Sequence, residues 1–464
     1  MVNTQPRSPF DVPELRAIIS AHLTKNDALA CSRVCWPWSM YFRGLVWHTV
    51  NFAKIDPSKL TLAAVVNHGH HIRAVQNLRS STHINTLMWN YKRLNLTSLS
   101  VVLSAEPLFQ TDLNDFLRLV RSTLTELDLS VEPPKTRINV PVDVILAREP
   151  SRLTKISIRG LQLSRLSLIE LLQGCSDLQD LSLHDVLIPS QGIFTDWAYK
   201  HPNLRHLSAS FKDIVPIPVD PRLPPSPSFL TLFPGLVRWT ISGDETIGQR
   251  NSRNVNDTIR RLCPELNQVH LHMTSTAAVK EFVAHVFTHI KTLVFMQEAL
   301  TSEVVIAILG HSRTLQHIEC LPSPGTLLYD LTTPPAVITQ VSSTGWMLPS
   351  IPRLCPHLES FCFPLHEIDM DDIESNAWGC TGLKELRIRI VGLNTAAQIA
   401  RAIDIWLVGR RDLQLTDSKK QVPSSLMTQT SSYDPWPLES RVAAHLLKFK
   451  NLHTVWLGTK VWRV

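Results

Sequence analysis

Glycine is scarce in this chain, 16 of 464 residues, and none of the Gly-rich turns that cradle phosphates or dinucleotides occurs. The Gly-x-Ser-x-Gly and His-Glu-x-x-His signatures of hydrolases are missing as well. Long apolar runs are absent, since stretches such as Val304 to Leu309 stop far short of the roughly 18 residues that cross a bilayer. The opening MVNTQPRSPFDVPEL is polar and contains proline, unlike a signal or transit peptide, which predicts a protein of the cytoplasm or nucleus. No strong excess of one charge exists: 46 basic and 40 acidic residues give +6, spread along the chain, so neither nucleic acid nor a membrane is an expected partner. Cys-x-x-Cys is lacking among the eight cysteines, and Cys31 and Cys35 stand four apart like helix neighbours, so structural thiols are expected rather than a metal site or disulfides. No catalytic group, cofactor or metal is expected.

What remains is a folded composition, 44% hydrophobic and 19% charged, built on one recurring phrase, apolar-x-x-apolar-x-apolar. Clear copies start at Leu124 (LTELDL), Leu153 (LTKISI), Leu178 (LQDLSL), Leu266 (LNQVHL) and Leu383 (LKELRI). Weaker ones start at Leu204, Leu236, Ile290, Leu315, Leu358 and Leu452, with possible early copies at Ile72, Ile84 and Leu96. From Leu124 to Leu315 the starts are 29, 25, 26, 32, 30, 24 and 25 residues apart, which is a repeat length. The end of each phrase alternates apolar and polar as a half-buried strand does, and the residues between carry a helical pattern, as in AVKEFVAHVF before Ile290. A lone strand and helix cannot bury its apolar side, so neighbours must stack. The predicted fold is α/β: a short helical module, then a right-handed leucine-rich-repeat solenoid with a parallel sheet on the concave face and helices outside.

Three residues ahead of the repeat leucine stand Cys175, Cys263, Cys355 and Cys380, with His201 and Phe233 in the same slot. A packed position at the end of a helix explains these residue types. The rhythm breaks near 214–228, 321–352 and 411–438, where Pro, Ser and Thr predict inserted loops. The last segment closes the solenoid, with Trp456 and Trp462 expected to cover its final apolar face.

Residues 8–52 fall outside the repeat, and 1–7 read as a tail. Pro13 and Glu14 open a helical pattern with Leu15, Ile18, Ile19 and Leu23 on one face, and Asn26 or Asp27 starts a second helix carrying Leu29 and Val34. Trp38, Leu45 and Trp47 extend the apolar set beyond what short helices bury among themselves, which points to a partner surface.

The order Pro13, Glu14, Leu15, Ile18, Ile19, Leu23, Asp27, Leu29, Val34, Cys35, Trp38, Leu45, Trp47 resembles an F-box, and an F-box followed by leucine-rich repeats over 60–464 is similar to fungal-type substrate receptors. Val12 stands where that family has Leu, Ala28 replaces an apolar residue, and Pro37 is expected to end or kink the second helix. The resemblance implies a non-catalytic subunit of a Skp/cullin/F-box ubiquitin ligase, acting by effective concentration. Val12, Pro13, Leu15, Ile18, Ile19, Leu23, Leu29, Val34, Cys35 and Trp38 would dock a Skp-type adaptor, and through it cullin and RING subunits. A non-degradative interaction scaffold is the alternative.

A target protein would lie on the inner wall, where residues between buried strand positions point. Those are Glu126, Asp128, Lys155, Arg159, Asp180 and His184, then His206, Arg238, His270, His272 and His317, and last Glu385, Arg387 and Arg389, a polar wall of mixed charge. Two further clusters are expected to be structural: His68, His70 and His71 in NHGHH as a capped turn, and Glu367, Asp369, Asp371, Asp372 and Glu374 as a solvated helix start.

Overall fold

The computed structural model describes residues 12–54, 62–89, 92, 94–104, 106–131, 152–186, 199–211, 229–243, 249–322, 347–375, 377–393, 395–417, 437–458 and 460–463. The expected tail at 1–7 and loop at 214–228 lie outside these residues, as do the middle parts of the other two insertions. The chain divides into two compact units, Met1–Ser208 and Ala209–Val464.

The first unit opens with three helices, α1 (Pro13–His22), α2 (Lys25–Cys31) and α3 (Trp36–His48). Strands follow: β1 (Thr49–Asn51), β2 (Ala74–Leu78), β3 (Ser98–Leu103), β4 (Glu126–Val131), β5 (Lys155–Arg159) and β6 (Asp180–His184). Successive strands pair in parallel, from β1 with β2 through to β5 with β6. Helices α4 (Leu62–His68), α5 (Ser81–Met88), α6 (Pro107–Val120) and α7 (Arg165–Gly174) lie between strands. Ile84 belongs to α5 and not to a strand; its phrase SSTHINTLM starts with Ser80, whose side chain caps the helix, and this local signal wins over the leucine pattern. The strand β7 (His206–Ser210) falls at the division.

In the second unit β8 (Arg238–Ser242), β9 (Gln268–His272), β10 (Thr292–Met296), β11 (His317–Leu321), β12 (Ser360–Ile368), β13 (Glu385–Ile390) and β14 (Thr454–Leu457) are again parallel in chain order. An antiparallel hairpin to β15 (Lys460–Arg463) ends the ladder. Parallel neighbours need a crossover of a dozen or more residues, and the repeat length provides it. An open sheet whose strand order is the chain order defines a leucine-rich-repeat solenoid in each unit.

The register explains why the phrase recurs. Leu127 pairs with Ile156 and Ile156 with Leu181; Val269, Leu293, Ile318, Phe361, Leu386 and Val455 form the corresponding row downstream. All are buried, each contributing about 1.5 to 3 kcal/mol of apolar transfer before entropy is charged.

The slot ahead of each repeat leucine is a tight turn under the core. Cys175, Cys263, Cys355, Cys380, His201 and Phe233 are all buried. The carbonyls of Cys175, Phe233, Cys263 and Cys355 accept the N–H of the leucine three residues on, at 3.0 to 3.2 Å. At His201 the imidazole does that work: Nδ1 accepts from Leu204 N–H at 3.1 Å, and Nε2 donates to the Cys175 carbonyl at 2.9 Å. Burial pushes the thiols of Cys263, Cys355 and Cys380 up to about 12, so they pack as neutral small hydrophobes.

Two expectations are corrected here. Pro37 does not end a helix; α2 stops at Cys31 and Pro37 sits in the first turn of α3, where its missing N–H costs nothing. Trp456 does not cover the final apolar face, because Val455 and Leu457 are the inward residues of β14; Trp456 is on the opposite face. Trp462 pairs with Val455, so it is the tryptophan on the core side.

Candidate protein-interaction surfaces

The first surface is carried by α1 to α3. Thr24 and Asp27 form a capping box that starts α2, with Thr24 N–H and Oγ1 donating to Asp27 Oδ2 at 3.0 and 2.6 Å. These bonds hold the Asp27 carboxyl below the usual range. Lys25 Nζ reaches the Thr49 carbonyl at 3.0 Å, tying α2 to the start of β1. Arg16 lies 5.1 Å from the Tyr41 ring, and Tyr41 and Trp38 both pack on Phe42 at 5.1 and 5.4 Å.

Only Ala28 and Phe42 are fully buried among the described side chains of these helices. Leu15, Leu29 and Met40 are exposed, and exposure reaches 59% at Ile18, 65% at Val34 and 73% at Trp36. Val12 and Cys35 are exposed too, while Ile19, Leu23 and Trp38 are half-buried; Pro13 is the first residue of α1. Trp36 and Met40 were not foreseen as part of this face. Their i, i+4 spacing on one side of a helix was the available signal, hidden by treating Pro37 as a break.

α3 and Phe52, just after β1, seat on the helices that follow through histidines. Trp47 stacks on His68 at 4.7 Å, Phe52 on His83 at 4.1 Å, and His71 Nδ1 lies 3.5 Å from where a Gly44 Cβ would stand. Burial lowers the pKa of His68, His71 and His83. His70 lies against His71 with ring centroids 3.8 Å apart and planes tilted by 43°. Among the described residues no group of three His, Cys, Asp or Glu side chains is placed to hold a metal ion.

The second surface is the inner wall of each unit. In the first unit, Glu126, Lys155 and Arg159 are exposed, while Asp128, Asp180, His184 and His206 are half-buried. Ser100 donates to Asp128 at 3.0 Å, Asp180 pairs with His206 at 2.5 Å, and Ser182 and His184 share a hydrogen bond of 2.8 Å. The imidazole on Ser182 and the imidazole on Asp180 thus belong to different residues.

In the second unit, Arg238 donates to Gln268 at 3.0 Å, His270 and His317 are half-buried and His272 is exposed. Lys384 and Glu359 pair at 2.7 Å below His317. Arg387 is held twice: its Nε donates to Glu385 Oε1 at 2.8 Å, and its guanidinium lies 4.3 Å from the Trp456 ring. The other Glu385 oxygen accepts from Ser360 at 3.1 Å. Arg389 is half-buried, and its Nε is shielded from solvent with no hydrogen-bond partner among the described residues.

The wall is not polar throughout. Val294, Met296 and Cys362 occupy its face on β10 and β12 and are buried, so the wall is not uniformly the polar, mixed-charge surface expected. The acidic stretch is also more than a solvated helix start, since Arg441 donates to both Asp371 and Glu374. Among the described residues, no helix is long and apolar enough to cross a membrane.

No family model matches the sequence, and no curated protein does. Among solved structures the chain is similar to the leucine-rich repeat-containing protein LegL7 from Legionella pneumophila, with 13% identity, a TM-score of 0.39 and coverage of 60% of this chain and 91% of that one. It is also similar to a chain of the yeast Rad7 and Elc1 complex, with 13% identity, a TM-score of 0.30 and coverage of 80% and 90%. Likenesses this distant leave the fold resting on the strand ladder itself.

Proposed function

We propose that this chain is the substrate receptor of a Skp/cullin/F-box ubiquitin ligase: α1 to α3 dock the adaptor, and the repeats hold a target protein. The carrying observation is the exposed apolar set Leu15, Ile18, Leu29, Val34, Trp36 and Met40, gathered in three helices and the turn before the third, whose own core is little more than Ala28 and Phe42. Such a concentration of unburied apolar side chains favours a partner that removes them from water, at about 25 cal/mol per Å².

The chain performs no covalent step in this account. It raises the concentration of target lysines near a conjugating enzyme held by the other subunits. The test compares the full chain with one lacking residues 12–48. Proteins held by both forms should carry ubiquitin only in the presence of the full chain; equal ubiquitination with the shortened form contradicts the proposal.

A further inference from the structure

We propose that the inner wall of the second unit takes a basic side chain, lysine or arginine, of the target segment at Glu319, beside apolar residues of the same segment. This rests on reading the wall as the target-holding surface.

In the ladder Glu319 pairs with Val294 on one side and Cys362 on the other. Both neighbours are buried, so Glu319 is a half-buried carboxylate set between apolar side chains. It makes no hydrogen bond or ion pair among the described residues, and burial pushes its carboxyl above the usual range. Arg387, the cation that acts on it, is already committed to Glu385 at 2.7 Å and to the Trp456 ring. A carboxylate that has lost part of its hydration and gained only a share of the Arg387 field, with no hydrogen bond, is stabilised further by a cation placed directly against it.

The surrounding charge favours the same occupant. Around this point the wall carries three carboxylates, Glu319, Glu367 and Glu385, against two guanidinium groups, Arg387 and Arg389. Among the described residues the Arg389 Nε makes no hydrogen bond, and Glu367 is the neighbour of Arg389 in register, so an anionic segment meets repulsion from that carboxylate. One step along the strand, Met296 and Leu321 continue the apolar strip, which suits apolar residues flanking the basic one.

The test uses three fluorescein-labelled octapeptides, alternating Lys/Val, Glu/Val and Ser/Val, titrated with the full chain and followed by anisotropy. The Lys/Val peptide should bind at least tenfold tighter than the others. Glu319→Gln should weaken it at least fivefold, Glu303→Gln on the outer helix should leave it unchanged, and Glu319→Arg should shift preference to the Glu/Val peptide. Equal binding by the parent and Glu319→Gln, or tighter binding of the Glu/Val peptide, overturns the proposal. Adaptor recovery is measured on the same samples: it stays unchanged in Glu319→Gln, so failure of this inference and failure of the adaptor reading are separate results.

Discussion

Trp47 of α3 lies against His68 of α4 with ring centroids 4.7 Å apart and planes 25° from parallel, so the opening helices are fastened to the first repeat by an aromatic stack. Trp47→Ala removes that stack and the apolar area it covers. An expected loss of about 2 to 3 kcal/mol follows from truncating a half-buried tryptophan. Hydrogen exchange should show the change concentrated in residues 36–48, with the distal repeats unaffected.

His201 joins two repeats through its imidazole, which bonds the Cys175 carbonyl and the Leu204 amide. His201→Ala should destabilise the chain by about 2 to 4 kcal/mol, because it opens a cavity and leaves buried backbone groups without partners. Urea unfolding measures it. His201→Cys, the residue used in four other copies of the slot, should cost less.

Two further histidines make stability depend on pH. Burial lowers His366 and His445 from 6.5 to about 4, so both are neutral in the folded chain at pH 7. The unfolded chain takes up protons at these sites below pH 6.5 while the folded chain does not. Their contribution is therefore complete above pH 6.5 and lost progressively as pH falls to about 4, on the order of 3 kcal/mol each at most. His445 packs on Trp378 and Phe449 at 4.8 and 5.3 Å, and neither of its ring nitrogens has a hydrogen-bond partner among the described residues. His445→Phe should raise the melting temperature and flatten the decline between pH 6.5 and 4.

Gly379 marks a close approach, since a Cβ there would stand 2.7 Å from the Arg353 carbonyl oxygen. The Gly379 and Cys380 amides both bond the Pro352 carbonyl, which fixes that approach. Gly379→Ala should lower stability by about 1 to 3 kcal/mol through the forced backbone shift, whereas Gly382→Ala, with open space around it, should be near neutral.

The repeat ladder was legible because one physical rule, burial of every second strand residue, acts identically at Leu127, Ile156, Leu181 and Leu386. Where a local signal competed, the phrase misled: Ile84 reads as a repeat position but follows a serine helix cap. The proline at 37 was misjudged because its effect depends on where the helix begins, which composition alone does not fix. The polar wall was drawn from alternation, yet Thr292–Met296 reads TLVFM and buries both faces beyond its first residue. The ion pairs Arg441 to Glu374 and Lys384 to Glu359 depend on which turns face each other across the stack, which spacing along the chain does not encode.

The most direct measurement is calorimetric titration of a Skp-type adaptor into the full chain and into the double variant Leu15→Asp, Ile18→Asp. Both residues are exposed, so the fold survives the change. The account predicts micromolar or tighter binding to the parent and a loss of at least a hundredfold in the variant, about 2.7 kcal/mol. Equal affinity for the two proteins, or no binding to either, contradicts it.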